Sequence, residues 1–174
     1  MFFFAQRLRE TANLQIVITY EQIEQIAESL SREGWREDFL QEMADSQPAL
    51  VELLFSESLE MLTPEERNYL LFLAAVLWQT AQTLRPLRQT LDRSFLEEVE
   101  DRNWALLNAS AERKFTDRVA VFFENYPEED LLAFVEDALF PAEDPEREEF
   151  ITREGREPMF VVLKTLIDAL FVEE

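Results

Sequence analysis

The chain has 174 residues, of which 37 are Asp or Glu and 16 are Lys or Arg, so its formal net charge is −21. Apolar residues make up 47% of the chain, too many for an intrinsically disordered protein, and this length can bury one core without a metal or a disulfide. It contains no cysteine and no histidine, which excludes a disulfide framework, a Cys/His zinc site and a Ser-His-Asp triad. Only two glycines are available for positive φ, which favours helices joined by short corners.

The N-terminal segment carries three consecutive phenylalanines, Phe2, Phe3 and Phe4. Chain ends tend to be exposed, and three exposed phenylalanines would form an apolar patch. Two interpretations stay open: a first helix packed onto the bundle, or a contact that forms a homodimer or binds a partner. The arginines follow this short apolar run, which is the wrong order for a secretory signal, so a cytoplasmic location is expected.

Two helices are predicted next. The first begins at a capping box formed by Thr19 and Gln22 and ends at Gly34, where positive φ is easily adopted. The second begins near residue 35 and is interrupted at Pro48, which lacks the amide that a continuing helix needs. Because only a short corner separates them, the two helices are expected to form a hairpin.

The middle of the chain predicts a third helix after Pro48 and a fourth over residues 64–84. The fourth begins at Thr63, with Pro64 in the first helical position, and it ends before Pro86. Residues 70–78 are nine consecutive apolar residues, too few to span a membrane. A helix that is apolar on every side is typical of an element surrounded by other helices. Further helices are expected over 86–108, 110–125, 128–140 and 158–172.

Residues 1–174 are therefore predicted to form a single all-α domain. The expected architecture is a bundle of about seven to nine helices around the buried 64–84 helix. In the last helix, Lys164 falls on the side of Thr165 and Asp168, away from the apolar stripe, and is expected to be solvated or paired with Asp168.

The negative charge is concentrated in residues 124–157, which hold 13 acidic residues and three arginines. Such a surface disfavours nucleic acid and anionic membranes, since both must be bound by cations, and it favours a basic protein partner. Two alternatives stay open: an acidic surface that serves solubility or life at high salt, and a mimic of DNA phosphates. The predicted partner-binding residues are Glu143, Asp144, Glu146, Glu148 and Glu149.

Two acid pairs offer a different function. The pairs are Glu21-x-x-Glu24 and Glu42-x-x-Asp45, on consecutive predicted helices. They resemble the E-x-x-E and E-x-x-D pairs of all-α nucleoside triphosphate pyrophosphohydrolases of the MazG type, and the resemblance implies a Mg²⁺ site and a Mg²⁺-dependent hydrolase. Residues three apart share a helix face, and hard Mg²⁺ takes oxygen ligands. The helical wheel, however, turns Glu21 and Asp45 away from the apolar stripes.

The main expectation is an intracellular interaction or regulatory protein. It is expected to bind a basic protein through its acidic C-terminal region, without catalytic residues, a metal or a cofactor of its own. The alternative is the Mg²⁺-dependent enzyme.

Overall fold

A computed structural model describes residues 16–34, 36–140 and 151–172. Within these ranges all regular secondary structure is helical, and the buried apolar side chains, Val99 excepted, form one cluster, which confirms the predicted all-α single-domain fold. In the described part of the chain two short 3-10 segments, Glu57–Leu59 and Ala120–Phe123, accompany eight α-helices. The α-helices are α1 (Tyr20–Glu33), α2 (Arg36–Ser46), α3 (Pro48–Leu54), α4 (Pro64–Leu84), α5 (Arg93–Ala109), α6 (Phe115–Val119), α7 (Glu129–Leu139) and α8 (Arg153–Phe171).

Two groups of predicted functional residues lie outside the described residues. These are the N-terminal phenylalanines Phe2, Phe3 and Phe4, and the acidic residues Glu143, Asp144, Glu146, Glu148 and Glu149. The predictions made for them stay predictions.

The local signals for helix ends are confirmed in the first half of the chain. The Thr19 side chain accepts a hydrogen bond from the Gln22 amide, and the Gln22 side chain reaches back to the Thr19 amide. Gly34 ends α1 with a φ of 80°. In the described residues α1 and α2 do not pack side by side as the predicted hairpin requires, since α1 packs against α4 and α7 whereas α2 packs against α3 and α4.

Two helices share the centre of the bundle. In α4, every residue from Leu70 to Ala81 is buried except Phe72 and Gln79, as the sequence predicted. In α8, every residue from Pro158 to Phe171 is buried as well. Helix α8 packs against α4, α5 and α7, so it is as central as α4.

One buried carboxylate joins the N-terminal ends of these two helices. Glu66 is fully buried, and its Oε2 accepts a hydrogen bond of 2.8 Å from the Thr63 amide at the start of α4. Its Oε1 accepts bonds of 2.6 and 2.7 Å from the amide and hydroxyl of Thr152, which caps α8. The positive ends of two helix dipoles therefore meet at one negative charge.

The C-terminal ends of α4 and α8 are joined by a guanidinium. Arg85, directly after α4, donates a hydrogen bond of 3.2 Å to the Phe171 carbonyl at the end of α8. The same guanidinium forms an ion pair with the buried Glu128. Because both pairs of like ends lie together, α4 and α8 run parallel.

The hydrogen bonds at this junction keep Glu66 ionised. Burial alone would raise the pKa of the Glu66 carboxyl, but the hydrogen bonds from Thr152 and Thr63 outweigh burial and hold its pKa below the ordinary value. Gly155 lies against the same carboxylate, and a Cβ at this position would be 2.8 Å from the Glu66 Cδ. The close approach of α8 to Glu66 therefore requires glycine.

We expect Gly155→Ala to destabilise the fold. In a helix without such a neighbour the change from Gly to Ala gains about 0.5–1 kcal/mol, whereas an overpacked site loses about 1–3 kcal/mol. Urea unfolding of the Gly155→Ala variant should therefore show a lower free energy of unfolding. In a Glu66→Ala background the overlap is gone and the same change should be neutral or stabilising. Equal effects in both backgrounds would contradict the contact.

We expect Glu66→Gln to lose stability in a pH-dependent way. Because the folded-state pKa of Glu66 is lowered, its contribution is present above the unfolded pKa of about 4.3 and is lost as the pH falls through the folded pKa. The difference in free energy of unfolding between the native chain and Glu66→Gln should be about 1–3 kcal/mol at neutral pH and smaller in acid. Glu65→Gln, an exposed neighbour, is the control. A difference that does not change with pH would contradict this role.

Candidate functional site

A cleft of about 580 Å³ lies between α1, α4 and α7. Its floor is apolar and is formed by Phe72, Leu73 and Phe134, with Tyr20 and Tyr69 beside them. Its rim carries three exposed carboxylates and one exposed guanidinium. We call it the acidic cleft, and the charged residues of its rim are Glu24, Glu28, Asp137 and Arg32.

Tyr20 fixes the width of the acidic cleft by joining α1 to α7. Its amide donates a hydrogen bond of 2.8 Å to Asp130, and its hydroxyl donates one of 2.9 Å to Asp137. Its ring meets the Phe134 ring edge-on at 6.0 Å. On the α4 side, the Tyr69 hydroxyl donates to the Ala138 carbonyl at 3.1 Å. Side chains from three helices therefore hold the cleft in one shape.

The charge of the acidic cleft comes from its rim. Burial, together with the hydrogen bond to Asp137, raises the pKa of Tyr20 to about 12, so the phenol stays protonated and donates to the carboxylate. The three carboxylates outnumber the single cation Arg32. A bound group in this cleft would meet an apolar floor and a negative rim, an arrangement that suits a cation with an apolar stem.

The four carboxylates of the predicted magnesium site do not come together. All four are exposed, on α1 and α2, which do not form a hairpin. Glu21 accepts a hydrogen bond from Gln25 at 3.3 Å and Asp45 accepts one from Gln41 at 2.8 Å, both on their own helices. Glu24 instead lines the acidic cleft, and Glu42 lies on α2. In the described part of the chain no group of three or more acidic side chains could hold a metal ion.

A second polar site lies inside the bundle, around Lys164 of α8. Lys164 is only 4% exposed, and its Nζ donates bonds of 2.6 and 2.7 Å to the two carboxylate oxygens of Asp168. Asp168 also accepts hydrogen bonds from Asn103 of α5 at 3.0 Å and from the Tyr126 hydroxyl at 2.7 Å. We call these four residues the Lys164 cluster.

Aromatic rings complete the surroundings of the buried amine. The Lys164 Nζ lies 4.2 Å from the centre of the Tyr126 ring and 5.6 Å from that of Phe122. Burial lowers the pKa of Lys164, with the Asp168 carboxylate acting in the opposite direction, and burial raises the pKa of Tyr126. Of the two outcomes predicted for Lys164, solvation or a pair with Asp168, the structure shows the pair. Lys164 is buried because α5 and the segment before α7 cover this side of α8. The charged groups of the Lys164 cluster all have partners within the bundle, so the cluster has a structural role.

The acidic cleft was not predicted from the sequence, although the sequence does show the spacing of its charged residues on α1. Glu24, Glu28 and Arg32 recur every four residues, which places them on one face of α1. The aromatic floor could not be predicted, since Phe72 and Phe134 belong to helices far apart in the chain. Only the packing of α1 against both α4 and α7 brings these residues together.

Comparison of the chain with family models, with curated proteins and with solved structures gives no match. In the described ranges no helix has the length and apolarity needed to cross a membrane. Function must therefore be inferred from the clefts and charges of the molecule itself.

We expect Lys164→Met to destabilise the protein strongly. Removing one member of a buried ion pair leaves the other charge unpaired and costs about 3–5 kcal/mol. The chain offers a matched control in its other lysine, since Lys114 is exposed and Lys114→Met should change stability by less than about 0.5 kcal/mol. Both free energies can be measured by urea unfolding at neutral pH. Similar values for the two variants would contradict the structural role of Lys164.

Proposed function

We propose that the chain is an interaction or regulatory protein, acting in the cytoplasm, that binds a basic segment of a protein partner in the acidic cleft. The observation that carries this proposal is the combination of an aromatic floor with a carboxylate rim, between helices held together by Tyr20. Apolar side chains of the partner would pack on Phe72 and Phe134, while its lysine or arginine heads would meet Glu24, Glu28 and Asp137.

The size and charge of the acidic cleft suit a few anchoring side chains. A volume of about 580 Å³ accommodates one or two large side chains of a partner rather than a whole helix. A few well-packed anchors commonly supply most of the affinity of a protein interface. The formal net charge of −21 would also attract a cationic partner over long distances and speed its association.

The acidic residues from Glu143 to Glu149 are a second candidate surface for the same class of partner. They lie outside the described residues, so this part of the proposal rests on the sequence alone. The described residues give no support to the Mg²⁺-dependent hydrolase, since its four carboxylates are exposed and do not gather into a group that could hold a metal ion.

We expect Glu24→Gln combined with Glu28→Gln to weaken the binding of a basic amphipathic peptide. The probe is a synthetic helix-forming peptide of leucine and lysine, in which the leucines form one face. Charges at the rim of an interface contribute modestly, so an increase in Kd of about threefold to tenfold is expected in isothermal titration calorimetry. Both glutamates are exposed and make no ion pair with a described residue, so the variant should fold normally.

Two controls separate the acidic cleft from general charge attraction. Glu57→Gln with Glu98→Gln removes the same charge from exposed positions away from the cleft and should leave Kd unchanged. A peptide of the same composition without an apolar face should bind more weakly to the native chain. Equal weakening by both pairs of substitutions would overturn the proposal. A loss of binding only when Glu143, Asp144, Glu146, Glu148 and Glu149 are neutralised would place the site in that segment.

A further inference from the structure

A second cleft of about 390 Å³ has the opposite charge. It lies between α6, the residues before it, the end of α7 and the first turns of α8. Of the described residues, five cations and one carboxylate, Glu157, line it, although the whole chain has only 16 basic residues. We call it the basic cleft, and its cations are Arg113, Lys114, Arg118, Arg153 and Arg156.

Most of the positive charge in the basic cleft is not neutralised by the described residues. Arg118 forms an ion pair with Glu157 and donates to the Leu107 carbonyl at 3.3 Å. The other four cations form no ion pair or hydrogen bond with any described residue. Clustered like charges repel one another, so a cluster of this kind is stabilised by a bound anion.

Two arginines of the basic cleft also have a buried N–H group without a hydrogen-bond acceptor among the described residues. The Nε atoms of Arg118 and Arg156 are buried and have no hydrogen-bond acceptor in the described part of the molecule. Buried donors without an acceptor are rare in folded proteins, because each one loses its bonds to water. These buried Nε atoms are not themselves open to a ligand, but the guanidinium groups that line the cleft can bind an anion, and two-oxygen contacts are typical of arginine with phosphate.

The floor of the basic cleft is aromatic and well supported. The rings of Phe115 and Phe140 stack at 4.5 Å, and Phe115 meets the fully buried Phe160 edge-on at 5.7 Å. The Arg156 guanidinium lies over the Phe140 ring, 5.4 Å from its centre. Both Phe115 and Phe140 are partly exposed and so offer an apolar surface beside the cations.

We propose that the basic cleft binds a small phosphorylated molecule. Its phosphate oxygens would accept hydrogen bonds from Arg113, Lys114, Arg153 and Arg156, and its apolar part would lie against the exposed parts of Phe115 and Phe140. The volume lies within the range of small-molecule sites. This site is separate from the acidic cleft and does not depend on the function proposed for it.

We expect adenosine diphosphate and inorganic pyrophosphate to bind the full chain saturably in isothermal titration calorimetry, and adenosine not to bind. Arg113→Gln with Lys114→Gln should raise the Kd of both anions about tenfold or more, since two contacts to the phosphates are lost. These two side chains are exposed, so the variant should fold normally. Arg153→Gln is a second variant, on α8, with the same expected direction.

The control is Arg88→Gln with Arg93→Gln, two exposed cations away from the basic cleft, which should leave Kd unchanged. A native chain that binds neither anion would overturn the proposal. An equal increase in Kd in the basic-cleft variants and in the control variant would overturn it as well. The acidic residues from Glu143 to Glu149 follow Phe140 closely in the sequence and are the competing source of negative charge. If anions bind only after these acidic residues are replaced by neutral ones, the acidic residues themselves occupy the basic cleft. That outcome would overturn the small-molecule proposal.

Discussion

The buried carboxylate of Glu66 determines how the two central helices meet. Parallel helices place like ends of their dipoles side by side, which is unfavourable unless a charge of opposite sign lies at each end. Glu66 supplies that charge at the N-terminal ends of α4 and α8, and Arg85 supplies it at their C-terminal ends. With both ends fixed, α5 and α7 pack on α8, and α1 packs on α4 and α7. The acidic cleft between α1, α4 and α7 exists because of this arrangement.

The Lys164 cluster shows why a charged residue can lie in the middle of a central helix. A lone buried amine would lose its proton or prevent burial, but Lys164 has two carboxylate oxygens and two aromatic rings around it. Asn103 and Tyr126 satisfy the remaining acceptor positions of Asp168. These directional contacts come from α5 and from the segment before α7, so they select one rotation of α8 against its neighbours. The cluster therefore specifies the packing that apolar contacts alone would leave less defined.

The features predicted correctly from the sequence are those that depend on residues close together in the chain. The start of α4 at Thr63 could be predicted locally, and so could the burial of α4, because its apolar run is unbroken. The second role of Glu66 could not be predicted, since Thr152 lies 86 residues away. The apolar stripe of α8 was predicted, but the burial of its other side was not: Lys164 and Asp168 make that side polar, and their partners come from distant parts of the chain. The acidic cleft depends in the same way on contacts between distant helices.

Helix α7 separates two clefts of opposite charge. Asp137 and Ala138 face the acidic cleft, while Phe140, directly after α7, lines the basic cleft. The molecule as a whole repels anions at long range, but fields of surface charges are screened beyond about 8–10 Å at physiological salt. Among the described residues, the charges that line the basic cleft are five cations and Glu157, and they act over contact distances where screening is weak. A strongly acidic protein can therefore keep a site for an anion, provided that its cations are gathered in one cleft, and the five cations between α6 and α8 meet that condition.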